Sequence, residues 1–287
     1  MSMFRSYASA LKHFLIDIYL HSVFFYRKLN SEVRRKKDHK LDAPLCISLT
    51  SYPPRFGRLE MTIRSLLDQT VKFDKIELWI SKNDISFLPK GVVGLKKKGL
   101  FIRECEDIKS FKKIIPSIED SKEKYIVIAD DDVYYPIYWL ERLIDAYEPG
   151  TKMVVCHRAR LIPSGVWENL PVYEQWPLLK NGPVTSIRVF PTGMGGVLYP
   201  PNIFDQRVTD QNIYMSLCPN ADDIWLYFMA LENNAVWRFT GTVNNLRNWR
   251  GTQGVALARK NFSGGYNNEQ LNNVIKFLGK SGMINEY

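Results

Sequence analysis

Short apolar runs and amphipathic segments alternate along the first half of the chain. The apolar runs are rich in β-branched and aromatic residues, a pattern typical of buried strands. They predict four strands: LCISLTS (45–51), KIELWIS (75–81), LFIRECE (100–106) and KYIVIAD (124–130). The segments around them carry apolar residues at helical spacing and predict three helices: RLEMTIRSLLDQT (58–70), SFKKIIPSIED (110–120) and VYYPIYWLERLIDAY (133–147). Alternating strands and helices predict βαβ units and a parallel sheet, and Pro116 is expected to kink or split the second helix.

The second half of the chain has a different pattern. Pro, Gly and Asn are dense between its apolar runs, so the runs are less regular. They predict three strands, TKMVVCHRARLI (151–162), GGVLYPP (195–201) and AVWRFTG (235–241), and one helix, DDIWLYFMALEN (222–233). We expect this half to form a mixed region built onto the parallel sheet, within one α/β domain.

The N-terminal segment carries an apolar stripe at helical spacing. The stripe has nine positions: Phe4, Ala8, Leu11, Phe14, Leu15, Ile18, Ser22, Phe25 and Leu29. Lys12 and Asp17 interrupt it, so it falls short of the roughly 20 apolar residues of a spanning helix, and it lacks a signal-peptide pattern. With the basic residues 34–37 after it, the stripe suits the surface of an anionic membrane; the alternative is packing on the chain's own core or on a second subunit. We divide the chain into residues 1–40, an amphipathic basic helix and linker, and residues 41–287, the α/β domain.

The net charge of +9 is concentrated near the N-terminus. Nine Lys and Arg and three acidic residues in the first 40 positions account for +6 of it. This distribution argues against a nucleic-acid-binding fold. The four cysteines form no CxxC pair, which argues against a zinc ribbon or a redox motif. We expect buried, reduced thiols in a cytosolic protein: Cys46, Cys105, Cys156 and Cys218.

Three consecutive aspartates, Asp130, Asp131 and Asp132, end the fourth predicted strand. Adjacent carboxylates repel one another and lose hydration beside an apolar strand, so solvent, a helix N-terminus or a cation must offset the cost. Capping of the next helix would explain one or two acids but not three. A phosphatase motif would need Thr or Val where this chain has Tyr134 or Tyr135. Mn²⁺ or Mg²⁺ fits better, because hard cations prefer oxygen ligands, and Asp130 and Asp132 can reach one side while Asp131 points elsewhere.

The order of elements over about residues 45–275 resembles the GT-A glycosyltransferases, especially family-2-like bacterial enzymes that build capsule or lipopolysaccharide glycans. Two segments carry the specific part of the resemblance, IADDDVYYP and NADDIWLYF. The resemblance implies a GT-A (Rossmann-like) mixed sheet flanked by helices, in which Asp130 and Asp132 join a divalent metal to the diphosphate of a nucleotide sugar. It also implies nucleotide-binding residues in the loops: Thr50, Ser51, Tyr52, Arg55, Asp131, and either Asn83 or Asp84.

The second acidic motif, CPNADDIWLYFMA, places Asp222 and Asp223 at the start of a predicted helix. Acids at that place are also expected simply as helix caps. In inverting GT-A enzymes an acidic pair there provides the general base that takes the proton of the acceptor hydroxyl. The resemblance therefore implies Asp223 as the base, with Asp222 orienting it or binding acceptor.

Two further segments are candidates for ligand contacts. PTGMGGVLYPP contains Gly193, Gly195 and Gly196, and glycines let backbone approach a ligand closely. Similar loops in the resembled family line the donor sugar; a plain turn before a strand is the alternative. NNLRNWRGTQG offers Arg247 and Arg250, which could hold the departing diphosphate or lie in a solvated basic loop.

One feature departs from the family pattern. Many GT-A enzymes have a C-terminal His as a third metal ligand, whereas no His follows His157 here. Water, an Asn such as Asn245 or Asn248, or nothing takes its place.

The sequence therefore predicts a metal-dependent, inverting glycosyltransferase at the cytoplasmic face of the cell membrane. It would use Mn²⁺ or Mg²⁺ and move a sugar from a nucleotide donor, with UDP as the expected nucleotide, to a glycan or lipid-linked acceptor; an oligomer is compatible with the sequence. The enzymatic alternative is a nucleotidyltransferase, which usually has a Gly-rich basic loop where this chain has TSYPPRFG. The non-enzymatic alternative is a membrane-surface binding module whose acids are caps or a calcium site.

Overall fold

The computed structural model describes residues 36–241, 246–249 and 265–284, with five helical residues of the N-terminal segment (Ile18, Tyr19, Ser22, Val23 and Tyr26). Most of the predicted amphipathic helix, Asn245 and Arg250 lie outside the described residues. Within the described ranges, none of the helices has the length and hydropathy needed to span a membrane.

The described ranges contain twelve strands, most of them short. They are β1 (Leu45–Thr50), β2 (Lys75–Ser81), β3 (Leu100–Cys105), β4 (Tyr125–Ile128), β5 (Val133–Tyr134), β6 (Met153–Cys156), β7 (Ala159–Leu161), β8 (Val184–Ser186), β9 (Val189–Pro191), β10 (Val197–Tyr199), β11 (Val236–Phe239) and β12 (Arg247–Asn248). The α-helices are α1 (Phe56–Leu67), α2 (Lys90–Gly94), α3 (Ile115–Asp120), α4 (Trp139–Asp145), α5 (Gln211–Leu217), α6 (Asp222–Glu232) and α7 (Tyr266–Phe277). Short 3₁₀ helices lie at Pro53–Arg55, Ile85–Phe87, Leu95–Lys98, Lys109–Lys113, Trp167–Asn169, Tyr173–Gln175 and Gln206–Thr209.

Eight strands form one sheet in the order β3-β2-β1-β4-β10-β6-β11-β8. β1 pairs in parallel with β2 and β4, so that Ile47 lies opposite Ile76 on one side and Val127 on the other. β3 extends this parallel part, and β10 runs antiparallel between β4 and β6. The second half of the chain thus joins the sheet as a mixed region, and the predicted α/β class is confirmed.

Helices cover both faces of the sheet, each over its own core. Tyr125 and Val127 of β4 belong to the core under α1 and α4, whereas Ile126 and Ile128 belong to the core under α3 and α6. Burial on both faces explains why β1 and β4 are apolar at consecutive positions instead of alternating. The helices leave the carboxyl ends of these strands uncovered, and a cavity opens there.

The helix predicted over residues 133–147 is wrong at its start. Val133–Tyr134 form β5, which pairs with β12, and α4 begins only at Trp139. Pro136 lacks an amide hydrogen and disfavours helical backbone at the residue before it, so the helix starts after it.

Two other predicted elements are divided. The strand predicted over 151–162 is two strands, β6 and β7, which belong to different sheets. The chain bends between them at His157, whose buried ring contacts Thr240 Oγ1 and the Trp139 carbonyl, each at 2.9 Å. The split expected at Pro116 is confirmed, since a 3₁₀ helix ends at Lys113 and α3 begins at Ile115.

Residues 36–44 lie against the α/β domain. The Lys37 amide donates to the Thr70 carbonyl at 2.9 Å, its Nζ lies 2.6 Å from Glu141 Oε1, and Leu41 and Ala43 pack on the core. The division of the chain at residue 41 stays a prediction. All four cysteines are free thiols; Cys46, Cys156 and Cys218 are buried as expected, whereas Cys105 is only half-buried.

Candidate active site

A cavity of about 610 Å³ lies at the carboxyl ends of β1, β2 and β4. Parallel strands bring these ends to one edge of the sheet, where open α/β sheets bind ligands. The first half of the chain contributes residues 50–52 and 129–132 to the wall, and the second half contributes residues 192–194 and 220–224. Both acidic motifs therefore lie on one cavity.

Asp131 is held by the loop after β1. Its carboxylate accepts hydrogen bonds from Ser51 Oγ at 2.5 Å and from Arg55 Nη1 at 2.6 Å. Its backbone carbonyl accepts from Thr62 Oγ1 at 2.9 Å. The charge of Asp131 is compensated within the protein. Ser51 and Arg55, both predicted to bind nucleotide, thus hold the Asp131 carboxylate in this structure.

Asp132 lies between Arg55 and the C-terminal strand. Arg55 Nη1 is 3.5 Å from Asp132 Oδ2, and the Trp249 amide donates to the Asp132 carbonyl at 2.9 Å. The Trp249 indole also donates to Thr62 Oγ1 at 2.8 Å, which fastens the end of β12 to α1. Burial, and then the charge of Asp130, raise the pKa of Asp132 to about 6.

Asp222 and Asp223 occupy the first turn of α6, but their side chains bind other segments. Lys113 Nζ lies 2.6 Å from Asp222 Oδ2 and 3.9 Å from Asp130 Oδ1. Asp223 Oδ2 accepts a hydrogen bond from the Gly193 amide at 2.9 Å. The buried Lys113 therefore joins the two acidic motifs.

The environment of Asp223 favours its protonated form. Burial and then the charge of Asp222 raise the pKa of Asp223 to about 7, while Lys113 and the Gly193 amide act in the opposite direction. A carboxyl group with a pKa near neutral is suited to accept a proton at physiological pH.

Capping does not account for either acidic motif. α4 has Tyr138 as its N-cap and no side-chain capping bond, so the aspartate triplet lies outside that helix. α6 has Ala221 as its N-cap, again without a side-chain capping bond. Asp222 and Asp223 still interact favourably with the helix dipole from the first turn.

Besides Ser51, Arg55 and Asp131, three more residues predicted to bind nucleotide line the cavity: Thr50, Tyr52 and Asp84. Thr50 Oγ1 donates to the Trp79 carbonyl at 2.7 Å. The Tyr52 ring centre lies 5.8 Å from the guanidinium carbon of Arg55. Of the alternatives Asn83 and Asp84, the structure places Asp84 on the cavity wall and Asn83 in an exposed turn outside it.

The three glycines of the PTGMGGVLYPP segment lie in two different environments. Gly195 and Gly196 pack against Trp139: the Gly195 carbonyl accepts from its indole at 2.6 Å, and a Cβ on Gly196 would lie 2.4 Å from its ring. Their assignment to the donor sugar stays a prediction. Gly193 lines the cavity, and a Cβ there would lie 2.7 Å from Lys113 Nζ and 2.8 Å from Asp223 Oδ1.

The C-terminal segment reaches the site through β12. Its backbone pairs Arg247 with Tyr134 and Asn248 with Val133. Asn248 lines the cavity, whereas Arg250 lies outside the described residues. The role of both arginines stays a prediction.

Sequence reasoning missed five cations that line this cavity: Lys109, Lys112, Lys113, Arg158 and Arg160. Arg158 follows β6, lines the cavity and donates to Thr192 Oγ1 at 2.7 Å. Its sequence signal is weak, because it depends on where β6 ends. Lys113 could have been found from the sequence, because Lys112 and Lys113 interrupt the apolar run FKKIIPSI. Both lysines are buried in the structure.

The chemistry of the triplet fits a divalent cation. The Asp130 side chain is 26% exposed, against 8% for Asp132, and its charge raises the pKa of Asp132. Two carboxylates that repel one another would be stabilised by a cation between them, and Mg²⁺ commonly takes one or two carboxylates plus substrate phosphates. The described residues contain no group of three His, Cys, Asp or Glu suited to hold a metal. Phosphate oxygens, water or Asn248 would complete the coordination.

No protein-family model and no curated protein matches the chain. Among solved structures it is similar to glucosyl-3-phosphoglycerate synthase from Mycobacterium tuberculosis in complex with Mn²⁺, UDP and glucosyl-3-phosphoglycerate (14% identity, TM-score 0.31, 40% of this chain and 43% of that one). It is similar to a 4-diphosphocytidyl-2C-methyl-D-erythritol synthase (12% identity, TM-score 0.33, 44% of this chain and 62% of that one). It is also similar to residues 1–349 of S. aureus TarS in complex with UDP (12% identity, TM-score 0.41, 68% of this chain and 57% of that one). The chain spans 43% to 62% of these proteins, and TM-scores this low carry no information on its activity.

Proposed function

We propose that this chain is a metal-dependent glycosyltransferase of the GT-A type, which moves a sugar from a nucleotide donor to a glycan or lipid-linked acceptor. The observation that carries the proposal is the contact of Lys113 with both acidic motifs, 2.6 Å from Asp222 and 3.9 Å from Asp130. It brings candidate metal-binding carboxylates and a candidate base to one cavity. Transfer from a diphosphate to a hydroxyl requires that proximity.

The donor would occupy the side of the cavity formed by the first half of the chain. Its nucleotide would lie along Thr50, Tyr52 and Asp84, with UDP as the expected nucleotide. Asp130 and Asp132 would hold Mn²⁺ or Mg²⁺, which when bound neutralises the charge of the departing diphosphate. Arg55 would keep the carboxylates of the triplet oriented, as it contacts two of them in this structure.

The acceptor hydroxyl would approach Asp223. Asp223 would take its proton as the oxygen attacks the anomeric carbon, in a single displacement that inverts the anomeric configuration. The Gly193 amide holds Oδ2 of Asp223, which leaves Oδ1 for the acceptor. Asp222 pairs with Lys113, and after burial the charge of Asp222 is the next cause of the raised pKa of Asp223.

The position and pKa of Asp223 favour glycosyl transfer over nucleotidyl transfer. A phosphate nucleophile is already anionic at neutral pH and needs no base, whereas a sugar hydroxyl does. A non-enzymatic binding module would gain nothing from a carboxyl group whose charged form is destabilised on a cavity wall.

We further propose that residues 1–40 bring the protein to the cytoplasmic surface of the membrane. Lys36 Nζ donates to the Leu67 carbonyl at 2.7 Å and Lys37 pairs with Glu141, so Arg34 and Arg35 are the cations to test for lipid contact. Joint substitution of both arginines by Gln should reduce sedimentation with anionic vesicles and leave the weak binding to zwitterionic vesicles unchanged. Equal sedimentation of the variant and the unmodified protein with anionic vesicles would remove this proposal.

Titration calorimetry with UDP, in the presence and absence of Mn²⁺, tests the glycosyltransferase proposal. We expect UDP to bind with Mn²⁺ and to bind much more weakly with the metal chelated. A panel of UDP-sugars should then show release of UDP from at least one donor, and more of it when acceptor is supplied. Metal-independent UDP binding without any sugar release would contradict the proposal.

A further inference from the structure

The cations on the cavity wall differ in whether the protein supplies an anionic partner. Arg55 contacts Asp131 and Asp132, Lys112 contacts Asp107 at 2.6 Å, and Lys113 contacts Asp222. The exposed Lys109 donates to the neutral Asn220 Oδ1 at 3.0 Å. Arg158 is half-buried, and in the part of the chain that the structure describes no carboxylate lies within ion-pairing distance of its guanidinium. Its hydrogen bond is to a neutral group, Thr192 Oγ1.

Arg158 is also partly desolvated. It is half-buried, and burial is the main cause that lowers the pKa of Arg158. The neighbouring charge of Arg160 acts in the same direction, while Tyr173, Asp223 and Asp130 offset only part of the effect. Arg160 is buried beside it, donates to the carbonyls of Glu174 and Trp176, and lies 5.0 Å from the centre of the Tyr173 ring. A partly desolvated guanidinium next to a second one is costly unless an anion joins them.

Arg158 follows β6 and the proposed base Asp223 lies on α6, but one short segment contacts both side chains. Consecutive residues hold the two side chains: Thr192 accepts the hydrogen bond of Arg158 at 2.7 Å, and the Gly193 amide donates to Asp223 at 2.9 Å. The Thr192 amide also donates to the Arg158 carbonyl at 3.0 Å. This backbone bond fixes the position of Arg158 relative to the Thr192–Gly193 segment. A ligand group on Arg158 is therefore next to the hydroxyl that Asp223 would deprotonate.

We infer that Arg158, supported by Arg160, binds an anionic group, a carboxylate or a phosphate, that the acceptor carries close to its reacting hydroxyl. This inference rests on the proposed function, because it names the acceptor class of that site. The proposed function assigns the donor diphosphate to Asp130 and Asp132, whereas Arg158 and Asp223 are both held by the Thr192–Gly193 segment. The planar fork of Arg suits bidentate binding of either anion.

Ligand-observed NMR with matched pairs of small ligands tests the inference. Methyl glucuronide against methyl glucoside probes a carboxylate, and glycerol phosphate against glycerol probes a phosphate. Titrations are made on the free protein and on protein saturated with UDP and Mg²⁺, a diamagnetic cation, so that the diphosphate position is filled. We expect at least one anion to bind about tenfold or more tightly than its neutral counterpart in both states.

Three variants define the site. Arg158→Gln should weaken binding of the preferred anion by about 10-fold to 100-fold and leave its neutral counterpart unchanged. Arg158→Lys keeps the charge without the fork and should give a smaller loss. Lys97→Gln removes the same charge from an exposed position outside the cavity and should have no effect. Thermal unfolding of Arg158→Gln, followed by circular dichroism, is the check that this variant folds.

Two results would overturn the inference. The first is equal binding of anionic and neutral ligands, or no anion binding, by the unmodified protein. The second is loss of anion binding once UDP and Mg²⁺ are bound, together with weaker UDP binding in Arg158→Gln, because Arg158 would then serve the donor diphosphate. Failure of the protein to bind UDP at all would instead count against the proposed function, and the anion preference of the free protein would still report on Arg158.

Discussion

The two acidic motifs look alike in sequence and are compensated in parallel ways. In the triplet, Arg55 lies 2.6 Å from Asp131 and 3.5 Å from Asp132. In the pair, Lys113 lies 2.6 Å from Asp222. Each motif thus has one carboxylate in close contact with a cation, the half-buried Arg55 or the buried Lys113. Beside it lies a carboxylate with a raised pKa, about 6 for Asp132 and about 7 for Asp223.

The motifs differ in what surrounds the second carboxylate. Asp132 has the partly exposed Asp130 as a neighbour, so two negative charges are available to one divalent cation. Asp223 has the Gly193 amide on one oxygen and a cavity in front of the other. The comparison teaches that one local arrangement, a cation beside one of two acids, occurs in two different surroundings. This difference underlies the roles we propose, metal binding for Asp132 and proton transfer for Asp223.

The largest expected effect separates the two roles directly. Asp223→Asn keeps the hydrogen bond from Gly193 but removes basicity, so it should lower kcat by about 10²-fold to 10⁴-fold and leave Mn²⁺-dependent UDP affinity unchanged. Steady-state kinetics and UDP calorimetry on one preparation measure both. Near-normal kcat would sink the assignment, and a larger loss in Asp222→Asn would move the base by one residue.

The two buried lysines, Lys112 and Lys113, provide a matched pair of variants that tests how much a neighbouring cation stabilises a carboxylate. Lys113→Met leaves Asp222, whose side chain is 8% exposed, without a cation and should cost about 3–5 kcal/mol of unfolding free energy. Lys112→Met leaves Asp107, whose side chain is 63% exposed and can be hydrated, and should cost about 1 kcal/mol or less. Urea unfolding of both variants measures the difference. Equal losses of unfolding free energy in the two variants would show that Lys113 does not stabilise the charge of Asp222.

Asp132→Asn tests the metal half of the comparison. Loss of one of two proposed ligands should weaken Mn²⁺-dependent UDP binding by at least about 10-fold to 100-fold, since even partners of metal ligands contribute that much. Asp145→Asn, an exposed acid on α4, is the control and should bind UDP normally. Calorimetry that finds the same Mn²⁺-dependent affinity in Asp132→Asn would make the metal assignment wrong.

The smallest expected effect is a pH dependence. The folded-state pKa of Asp223, about 7, lies above its unfolded value, so the folded protein binds more protons between about pH 4 and pH 7 and loses stability as pH rises through that window. Catalysis runs the other way: kcat/KM should rise with pH through about 7, as Asp223 becomes deprotonated. Urea midpoints near pH 5 and pH 8 should therefore differ less in Asp223→Asn. An unchanged difference would place the titrating group elsewhere.

Local pattern was sufficient for much of the fold. β1 to β4 were predicted within one or two residues at their ends. For β1, β2 and β4 the reason is burial on both faces of a parallel sheet, which favours runs of apolar residues; β3 is a partly exposed edge strand. Local pattern failed after β4, where Val133 and Tyr134 continue the apolar periodicity of α4 but pair with β12. That pairing partner lies more than a hundred residues away and leaves no trace in the local sequence.

By itself the sequence determined the α/β class and the location of three aspartates at the end of a buried strand, since both follow from the periodicity and composition of short segments. Only the tertiary structure decided which charges meet. Lys113 contacts Asp222, Arg55 contacts Asp131, and Gly193 holds Asp223 because the sheet brings together loops that are distant in the chain. Electrostatic compensation depends on distances of a few ångströms between such loops, and no local pattern encodes those distances.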